Sequence, residues 1–506
     1  MAKSNFKTVI ENGYQFEGNS FVVGAAMLDG KSEAGLQVKI PLKTLNRHGL
    51  IAGATGTGKT KSLQMLAENL AANGTSCLLM DIKGDLSGIA AAGTVNEKLE
   101  QRAQLMNLKF EPNTFSTEFL TLSQERGARL RATVTEFGPV LFSKILGLND
   151  TQSSVVSVVF KFCDDSAMPL LDLEDFKRVL SYFMNEGKDD TQAKYGNISP
   201  MTIGTILRRV IELEQQDAAI FFGEKSFEVN DLCRFDSEGR GVISVVRLAD
   251  IQSKPKLFST FMLQLLAEIY QTFPEAGDIE QPKLVVFIDE AHLVFAEASK
   301  TLLDQVETII KLIRSKGVGV IFCTQNPNDI PDAVLGQLGL KIQHALRAFT
   351  AKDRQAIRLA AQNYPISEFY DAETLLTSLG IGEALVTALN EKGVPTPLVH
   401  SLMRPPATRM DVLSDAELNA IVSASPLVKK YDEVINRDSA AEILTKKMTG
   451  EDGNTPPPST SAKKGAKEEK SVVETILTSS PIKQMGTTVI REVTRGLLGI
   501  LKRKFF

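Results

Sequence analysis

The chain has 506 residues, more than one ordinary domain holds, and its 43% hydrophobic content is enough for sizeable cores in two or three units. The net charge of −4 excludes a protein that is basic throughout, so any surface for nucleic acid must be local. Four cysteines without metal-site spacing, the lack of an apolar run of about 18 residues and a polar N-terminus predict no disulfide, membrane span or signal sequence, and they favour the cytoplasm.

The first clear pattern along the chain is a strand, a glycine-rich loop and a helix. A β-like piece at 20–24 precedes it, and the apolar run at 48–52 predicts a strand in which His48 is expected to be structural. Residues 53–60 read Gly-Ala-Thr-Gly-Thr-Gly-Lys-Thr, a full match to the phosphate-binding pattern G-x-x-x-x-G-K-[ST]. Apolar residues at helical spacing within 61–71 predict the helix that follows.

Each fixed position of this loop has a physical task in holding a triphosphate. The glycines let backbone N–H groups point at phosphate oxygens, and the following helix adds the positive end of its dipole. Lys59 can reach the β- and γ-phosphates, and Thr60 offers its hydroxyl to Mg²⁺, so ATP and Mg²⁺ are the expected cofactors. The residues expected to bind the nucleotide are Gly53, Ala54, Thr55, Gly56, Thr57, Gly58, Lys59 and Thr60.

A second strand is predicted at 76–81, and residues 82–85 form the turn beyond it. Asp81 and Asp85 would lie near the nucleotide at the end of this strand. Two interpretations of these acids stay open. They tune the attacking water, or they cap the chain from Leu86 onward.

Residues 138–240 are predicted to be a helical insertion in the core. Two helical faces in this block consist of Val155, Val158, Val159 and Phe162, and of Ile203, Ile206, Val210 and Leu213. Because core strands precede the block and resume at 241–246, it interrupts the core. It is either a helical lid that thickens the fold or a module that grips a partner or a neighbouring subunit, and the sequence leaves both open.

An apolar strand at 284–288 ends in two acids. In nucleoside triphosphatases with this arrangement, Asp289 holds the Mg²⁺ water shell and Glu290 polarises the attacking water as the catalytic base. Acids at the carboxyl edge of a parallel strand would lie beside the phosphate loop. The alternative for Glu290 is an acid that only satisfies the dipole of a helix N-terminus.

Another apolar strand, at 317–325, ends in Thr324 and Gln325. A polar side chain at this edge, with Gln325 as the candidate, can touch both the γ-phosphate and the attacking water. The alternative is a cap or turn residue before Pro327. His292 is expected to contact the acid strand and Gln325 rather than to act as a ligand or base. The strands together favour the ASCE type of P-loop fold, in which an extra strand separates the loop strand from the acid strand.

The chain changes in character toward its C-terminus. Residues 382–402 predict a β-hairpin. Residues 471–506 predict a basic amphipathic tail that binds a protein partner or a second copy, nucleic acid, or a membrane surface, with the first favoured. The predicted units are the N-terminal β segment with the first part of the ATPase core at 1–137, the insertion at 138–240, the second part of the core at 241–405, a helical extension at 406–448, a disordered linker at 449–470, and the tail at 471–506.

Several of these motifs resemble the HerA-like branch of the HerA/FtsK ATPases. They are residues 51–60, 80–85, 287–292, 323–325 and 344–347. Residues 133–151 are similar, more narrowly, to the YjgR-type bacterial proteins within that branch. The resemblance covers most of 20–405. It implies a RecA-like core, assembly as a hexameric ring, and ATP hydrolysis coupled to DNA translocation or processing.

A ring ATPase needs a cation at the γ-phosphate, often one delivered by the neighbouring subunit. The candidates are Arg347, Arg314 and Arg354. Arg347 is ranked ahead of Arg314 because it follows a predicted strand. The alternative for each is a surface arginine paired with a carboxylate.

Two classes of function stay open. The first is an ATP-driven motor or processing factor that assembles with copies of itself and acts on double-stranded DNA. The second is an ATP-dependent switch that remodels or recruits protein partners without a nucleic-acid track. The negative net charge favours the second slightly, and the family resemblance favours the first.

Overall fold

A computed structural model of the chain describes residues 2–295, 300–433, 435 and 438–449. Twelve strands within these ranges form one sheet. The strands are β1 (Ser20–Leu28), β2 (Lys31–Pro41), β3 (Gly49–Ala52), β4 (Ser76–Asp81), β5 (Thr117–Thr121), β6 (Ala128–Arg129), β7 (Ile243–Arg247), β8 (Leu284–Ile288), β9 (Val318–Thr324), β10 (Leu340–Gln343), β11 (Glu383–Thr387) and β12 (Val399–Met403).

The α-helices of the same ranges cover both faces of the sheet. They are α1 (Ala2–Gly13), α2 (Lys59–Ala72), α3 (Glu97–Gln104), α4 (Val134–Ile145), α5 (Asp150–Asp165), α6 (Leu173–Met184), α7 (Lys188–Tyr195), α8 (Pro200–Glu214), α9 (Pro255–Thr272), α10 (His292–Phe295), α11 (Lys300–Ile313), α12 (Asp332–Leu335), α13 (Ala351–Gln362), α14 (Ala372–Ser378), α15 (Asp415–Ala424), α16 (Pro426–Tyr431) and α17 (Ala440–Thr449). Successive residues of β3 enter the two cores in turn, since Leu50 packs into one and Ile51 into the other.

The sheet has a parallel half and an antiparallel half. The parallel half has the order β10, β3, β9, β8, β4, β7, β5 and β6. Beyond β10, the antiparallel strands β11, β12, β1 and β2 extend the sheet. The central strands β3, β8 and β9 are buried along their whole length, as parallel strands covered on both faces must be. The predicted α/β fold is confirmed.

The position of β9 decides where the functional residues meet. It lies between β3 and β8, with Thr324 beside Ala52 and Phe322 beside Ile288. The predicted ASCE order, with one strand between the loop strand and the acid strand, is therefore confirmed. Because the three strands are parallel, all of them end at the same edge of the sheet, and the segments that follow β3 and β8 meet there.

Helices α4 to α8 follow one another between β6 and β7. Asn149 and Asp172 begin α5 and α6 with capping boxes, in which each side chain accepts a hydrogen bond from the third helical residue. Aromatic rings join the helices, and the centroids of Phe142 and Phe176 lie 4.9 Å apart. The apolar spacing thus correctly predicted helices here, and the choice between a lid and a gripping module stays open.

Strands β11 and β12 form an antiparallel pair with Leu385 opposite His400, which confirms the predicted hairpin. Apart from Thr449, which ends α17, the predicted linker at 449–470 and tail at 471–506 lie outside the described residues. Within the described ranges, no helix combines the length and apolar character that a membrane span requires. All four cysteines belong to these ranges and are free thiols.

His48 is structural, as predicted. Its ring is buried, its Nδ1 accepts a hydrogen bond from the Val320 backbone N–H at 3.0 Å, and its Nε2 lies 2.8 Å from the Ile310 carbonyl oxygen. The side chain therefore ties the start of β3 to β9 and to α11. Burial lowers the pKa of His48 from 6.5 to about 4, and the nearby Arg314 adds to this effect.

This burial predicts a pH dependence of stability. The neutral imidazole is favoured in the folded chain, so the stabilisation is complete above pH 6.5 and is lost as the pH falls toward 4. Between about pH 7 and about pH 4.5, His48 alone should remove about 2.5 kcal/mol from the free energy of unfolding. Chemical denaturation of wild type and His48→Gln at both pH values measures this as the difference between the two pH-dependent losses. Equal losses in the two proteins would contradict it.

Candidate nucleotide-binding site

The loop that joins β3 to α2 has the backbone conformation that its glycines allow. Gly53, Gly56 and Gly58 have φ angles of +152°, +77° and +118°, which residues with a side chain rarely adopt. A Cβ atom on Gly53 would lie 2.6 Å from the Cβ of His344. Helix α2 begins at Lys59, so the loop wraps the positive end of a helix.

Backbone hydrogen bonds hold this loop from three sides. The N–H of Gly53 donates to the Thr324 carbonyl at the end of β9 (3.2 Å), and the N–H of Ala54 donates to the Ala345 carbonyl beyond β10 (2.8 Å). The N–H of Gly382, just before β11, donates to the Thr57 carbonyl (2.9 Å). The loop is therefore fixed by the sheet before any ligand binds.

His344 supports the loop through its side chain. Its Nε2 lies 2.9 Å from the Ser62 hydroxyl on α2, and its Nδ1 lies 2.8 Å from the Glu383 carbonyl on β11. Burial lowers its pKa to about 4, so the ring is neutral near pH 7. The sequence motif contains His344, but its role was not predicted, because only the fold brings β10 and α2 together.

Lys59 lies inside the loop, and its contact with the β- and γ-phosphates stays a prediction. It is 5% exposed, and its Nζ donates to the Ala54 carbonyl at 3.3 Å. Burial lowers its pKa, and the charge of Lys83 acts in the same direction, while Glu290 and Asp289 oppose the shift. Its acceptor is a carbonyl of the loop itself, which a phosphate oxygen can replace.

The oxygen groups around the end of β8 fit a magnesium ion. Asp289 is buried, its Oδ2 has no hydrogen-bond partner among the described residues, and burial raises its pKa to about 6. The Thr60 hydroxyl donates to Asp85 Oδ2 at 3.4 Å, and Asp85 Oδ1 is buried without a partner in the same ranges. Mg²⁺ prefers one or two carboxylates together with phosphate and water oxygens. These residues fit that ion, with the phosphates as its remaining ligands.

Asp81, which ends β4, and Asp85, in the turn after it, have different tasks. Asp81 accepts hydrogen bonds from the backbone N–H groups of Gly84 (2.8 Å), Asp85 (3.1 Å) and Leu86 (3.1 Å). Burial raises its pKa to about 7. Asp81 thus caps the turn, which was one of its two predicted roles. Asp85 instead faces Thr60, at the nucleotide edge.

Glu290 lies in a strained position between two other side chains. Its φ is +45°, an uncommon value for a residue with a side chain, and only 3% of the side chain is exposed. One carboxylate oxygen contacts the ammonium of Lys83, and the other lies 3.2 Å from His292 Nδ1. The sequence-based interpretation missed Lys83, although the turn after β4 contains it. His292 was expected to contact the acid strand and Gln325; the structure places it against Glu290, directly after that strand, and the contact with Gln325 stays a prediction.

Thr324 and Gln325, the two polar residues at the end of β9, differ in their surroundings. The Thr324 hydroxyl donates to Asp329 Oδ2 at 2.7 Å, so Thr324 makes the turn contact that was the alternative interpretation. Gln325 is exposed at the same edge as the phosphate loop. Its position is compatible with a γ-phosphate contact, and its role stays a prediction.

The candidate arginines lie at different edges of the sheet. Arg347 is exposed two residues beyond Ala345, whose carbonyl holds the loop. Arg314 is exposed just before β9 begins, at the edge opposite the phosphate loop, and Arg354 is exposed in α13. No contact within the described part of the chain brings any of the three to the loop. A contribution from a neighbouring subunit therefore stays a prediction.

Known proteins are similar to this chain over most of its length. A family model described as Helicase HerA-like C-terminal matches residues 27–505. The protein of Sulfolobus acidocaldarius named DNA double-strand break repair helicase HerA is 22% identical over 360 residues, which are 69% of this chain and 64% of that protein. The protein of the same name from Saccharolobus solfataricus is 23% identical over 359 residues, 69% of this chain and 63% of that protein. The chain thus spans somewhat less than two thirds of the length of these curated relatives.

A solved structure shares the fold. The bacterial conjugative coupling protein TrwB, without its first 70 residues, aligns with a TM-score of 0.51 over 80% of this chain and 94% of that chain, at 13% identity. At this identity the likeness concerns the fold alone. The narrower resemblance to YjgR-type proteins stays a prediction. Because the family model matches nearly the whole chain, the chain belongs to the Helicase HerA-like C-terminal family.

Proposed function

We propose that this protein hydrolyses ATP and acts as a HerA-like motor that translocates along or processes double-stranded DNA. One observation carries the proposal. The buried carboxylates Asp289 and Glu290 follow β8 and act electrostatically on Lys59, the lysine of a preformed phosphate loop. A cation for the phosphates and a buried carboxylate for the water are the parts that hydrolysis of a triphosphate needs.

Each residue then has a defined task. The loop N–H groups and Lys59 bind the β- and γ-phosphates. Thr60 and Asp289 would hold Mg²⁺, which would supply a positive charge that offsets the charge of the phosphates. Glu290 orients the water and accepts its proton, and Gln325 contacts the γ-phosphate and the water from the end of β9.

DNA as the track is the second part of the proposal. It is supported by the family and by the curated relatives that are named as DNA repair helicases. The alternative is an ATP-dependent switch that acts on protein partners, which the net charge of −4 favours. We also propose that the basic tail at 471–506 contacts a protein partner. A cytoplasmic location is a further hypothesis, and the free thiols fit it.

The proposed motor is a ring in which each nucleotide lies between two subunits. Arg347 is the favoured cation from the neighbour because it is exposed at the loop edge, next to the segment that holds the loop. Arg314 lies at the opposite edge of its own sheet, so it can reach a nucleotide only in another subunit.

If the protein is a motor that acts on double-stranded DNA, this DNA should increase its ATPase rate. Phosphate release measured with and without DNA, beside the molecular mass with nucleotide, separates the motor from the switch. Lys59→Ala is the matched inactive control, because it removes the ammonium inside the loop and should abolish turnover and weaken nucleotide binding. Unchanged hydrolysis in the presence of DNA would favour the switch. Wild-type turnover in Lys59→Ala would contradict the site itself.

Replacing the proposed base should separate binding from hydrolysis. Glu290→Gln keeps the size of the side chain and removes its ability to accept a proton. It should still bind ATP but lose turnover by roughly a hundredfold or more. Equilibrium binding and single-turnover hydrolysis measure the two effects. A loss of less than a few-fold would show that another group, with Gln325 or Asp85 as candidates, orients the water.

A site shared between subunits predicts complementation. Arg347→Ala and Glu290→Gln should each be inactive alone. Mixed oligomers should recover part of the activity, because some sites then draw Glu290 from one chain and Arg347 from the next. The ATPase rate as a function of mixing ratio tests this. Full activity of a monomer at all protein concentrations would rule the shared site out.

A further inference from the structure

Lys83 is a second lysine at the candidate site, and the reaction as described above does not use it. It lies in the turn after β4, the strand next to β8, where Met80 pairs with Ile288. Both strands end at the loop edge, so the turn after β4 and the acids after β8 are neighbours. This places the Lys83 ammonium against the carboxylate of Glu290.

The contact engages the group that has to act on water. One carboxylate oxygen of Glu290 contacts Lys83, and the other faces His292 Nδ1 at 3.2 Å. An ammonium paired with this oxygen stabilises the charged carboxylate and weakens it as a proton acceptor, so the pair opposes its action on water. In this arrangement Lys83 therefore opposes the proposed action of Glu290 on water.

Lys83 also lies near the phosphate-binding lysine. Its charge disfavours the protonated form of Lys59, while the carboxylates of Asp289 and Glu290 favour it. Two ammonium groups thus face one small region at the edge of the sheet. Such a region attracts a strongly charged anion, and the γ-phosphate of a bound triphosphate is the anion that the loop would bring there.

We propose that Lys83 senses the γ-phosphate: without it, Lys83 pairs with Glu290 and holds the base inactive, and with ATP bound it moves to the γ-phosphate and releases Glu290. This inference rests on the proposed ATPase function. The water oxygen then attacks the γ-phosphorus, the bond from that phosphorus to the oxygen bridging to the β-phosphate breaks, and the water proton passes to Glu290. The products are ADP and phosphate.

The local structure allows this movement without a change of fold. The backbone of the turn is fixed by three hydrogen bonds from its N–H groups to the Asp81 carboxylate. The Lys83 side chain is 31% exposed, whereas Glu290 is 3% exposed, so the lysine is the partner that is free to move. Since ADP lacks the γ-phosphate, it leaves the Lys83–Glu290 pair in place.

The test is a double-mutant cycle on nucleotide affinity. Wild type, Lys83→Met, Glu290→Gln and the double variant are titrated with a non-hydrolysable ATP analogue and with ADP in a fluorescent-nucleotide displacement assay. Lys83→Met should weaken binding of the analogue about tenfold and leave ADP binding nearly unchanged. Glu290→Gln should tighten binding of the analogue, because Lys83 no longer has a competing partner, and this gain should vanish in the double variant.

Two further variants separate this role from a structural one. Lys83→Arg keeps the positive charge and should keep the preference for the triphosphate. Lys109→Met, which removes an exposed lysine paired with Glu111, should change neither affinity. Thermal unfolding of all variants, with Lys83→Gln as a second neutral replacement, monitors the fold.

The idea is wrong if Lys83→Met and Lys83→Gln keep the wild-type ratio of the two affinities. It is equally wrong if the gain from Glu290→Gln persists in the double variant. Failure of wild type to bind either nucleotide would overturn the proposed function, and this inference with it, whereas an intact ATPase with unshifted ratios would overturn the inference alone.

Discussion

The candidate site depends on one constraint, that three adjacent parallel strands end at the same edge of the sheet. β3, β9 and β8 are buried along their length, so their register is fixed by packing on both faces. Their ends deliver the phosphate loop, the segment with Gln325, and the acids Asp289 and Glu290 to one place. Without β9 between the other two, the loop would lose the hydrogen bond from Gly53 to Thr324.

The antiparallel half of the sheet supports this edge from the other side. The Gly382 N–H donates a hydrogen bond to the Thr57 carbonyl. The ring of His344 connects α2 to β11 through its two nitrogens. Glycines with positive φ form a loop that is flexible in isolation, and its conformational entropy would oppose ligand binding. Anchoring the loop to β9, β10 and β11 removes much of that freedom in advance. The start of the hairpin of β11 and β12 therefore supports the candidate nucleotide site.

The charged side chains at the phosphate-loop edge of the sheet are largely buried from solvent. Burial lowers the pKa of Lys59 and raises those of Asp289 and Asp81, which shows that each charged form is disfavoured where it lies. A bound triphosphate and its metal ion would supply the missing opposite charges. The same balance explains why Lys83 and Glu290 pair in this structure, and why a γ-phosphate would compete for the lysine.

The sequence alone determined the phosphate loop, the acid strand and the helical character of α4 to α8, because local spacing of glycine and apolar residues encodes them. The extra strand between the loop strand and the acid strand was inferred from the class of phosphate-loop fold, and the rest of the strand order came from the structure. The family followed from the same motifs. Only the tertiary structure showed that Asp81 caps a turn and that His344 supports the loop. It also placed Lys83 against Glu290 and Arg314 at the far edge. These contacts join residues distant in sequence across neighbouring strands, so their geometry exists only once the sheet has formed.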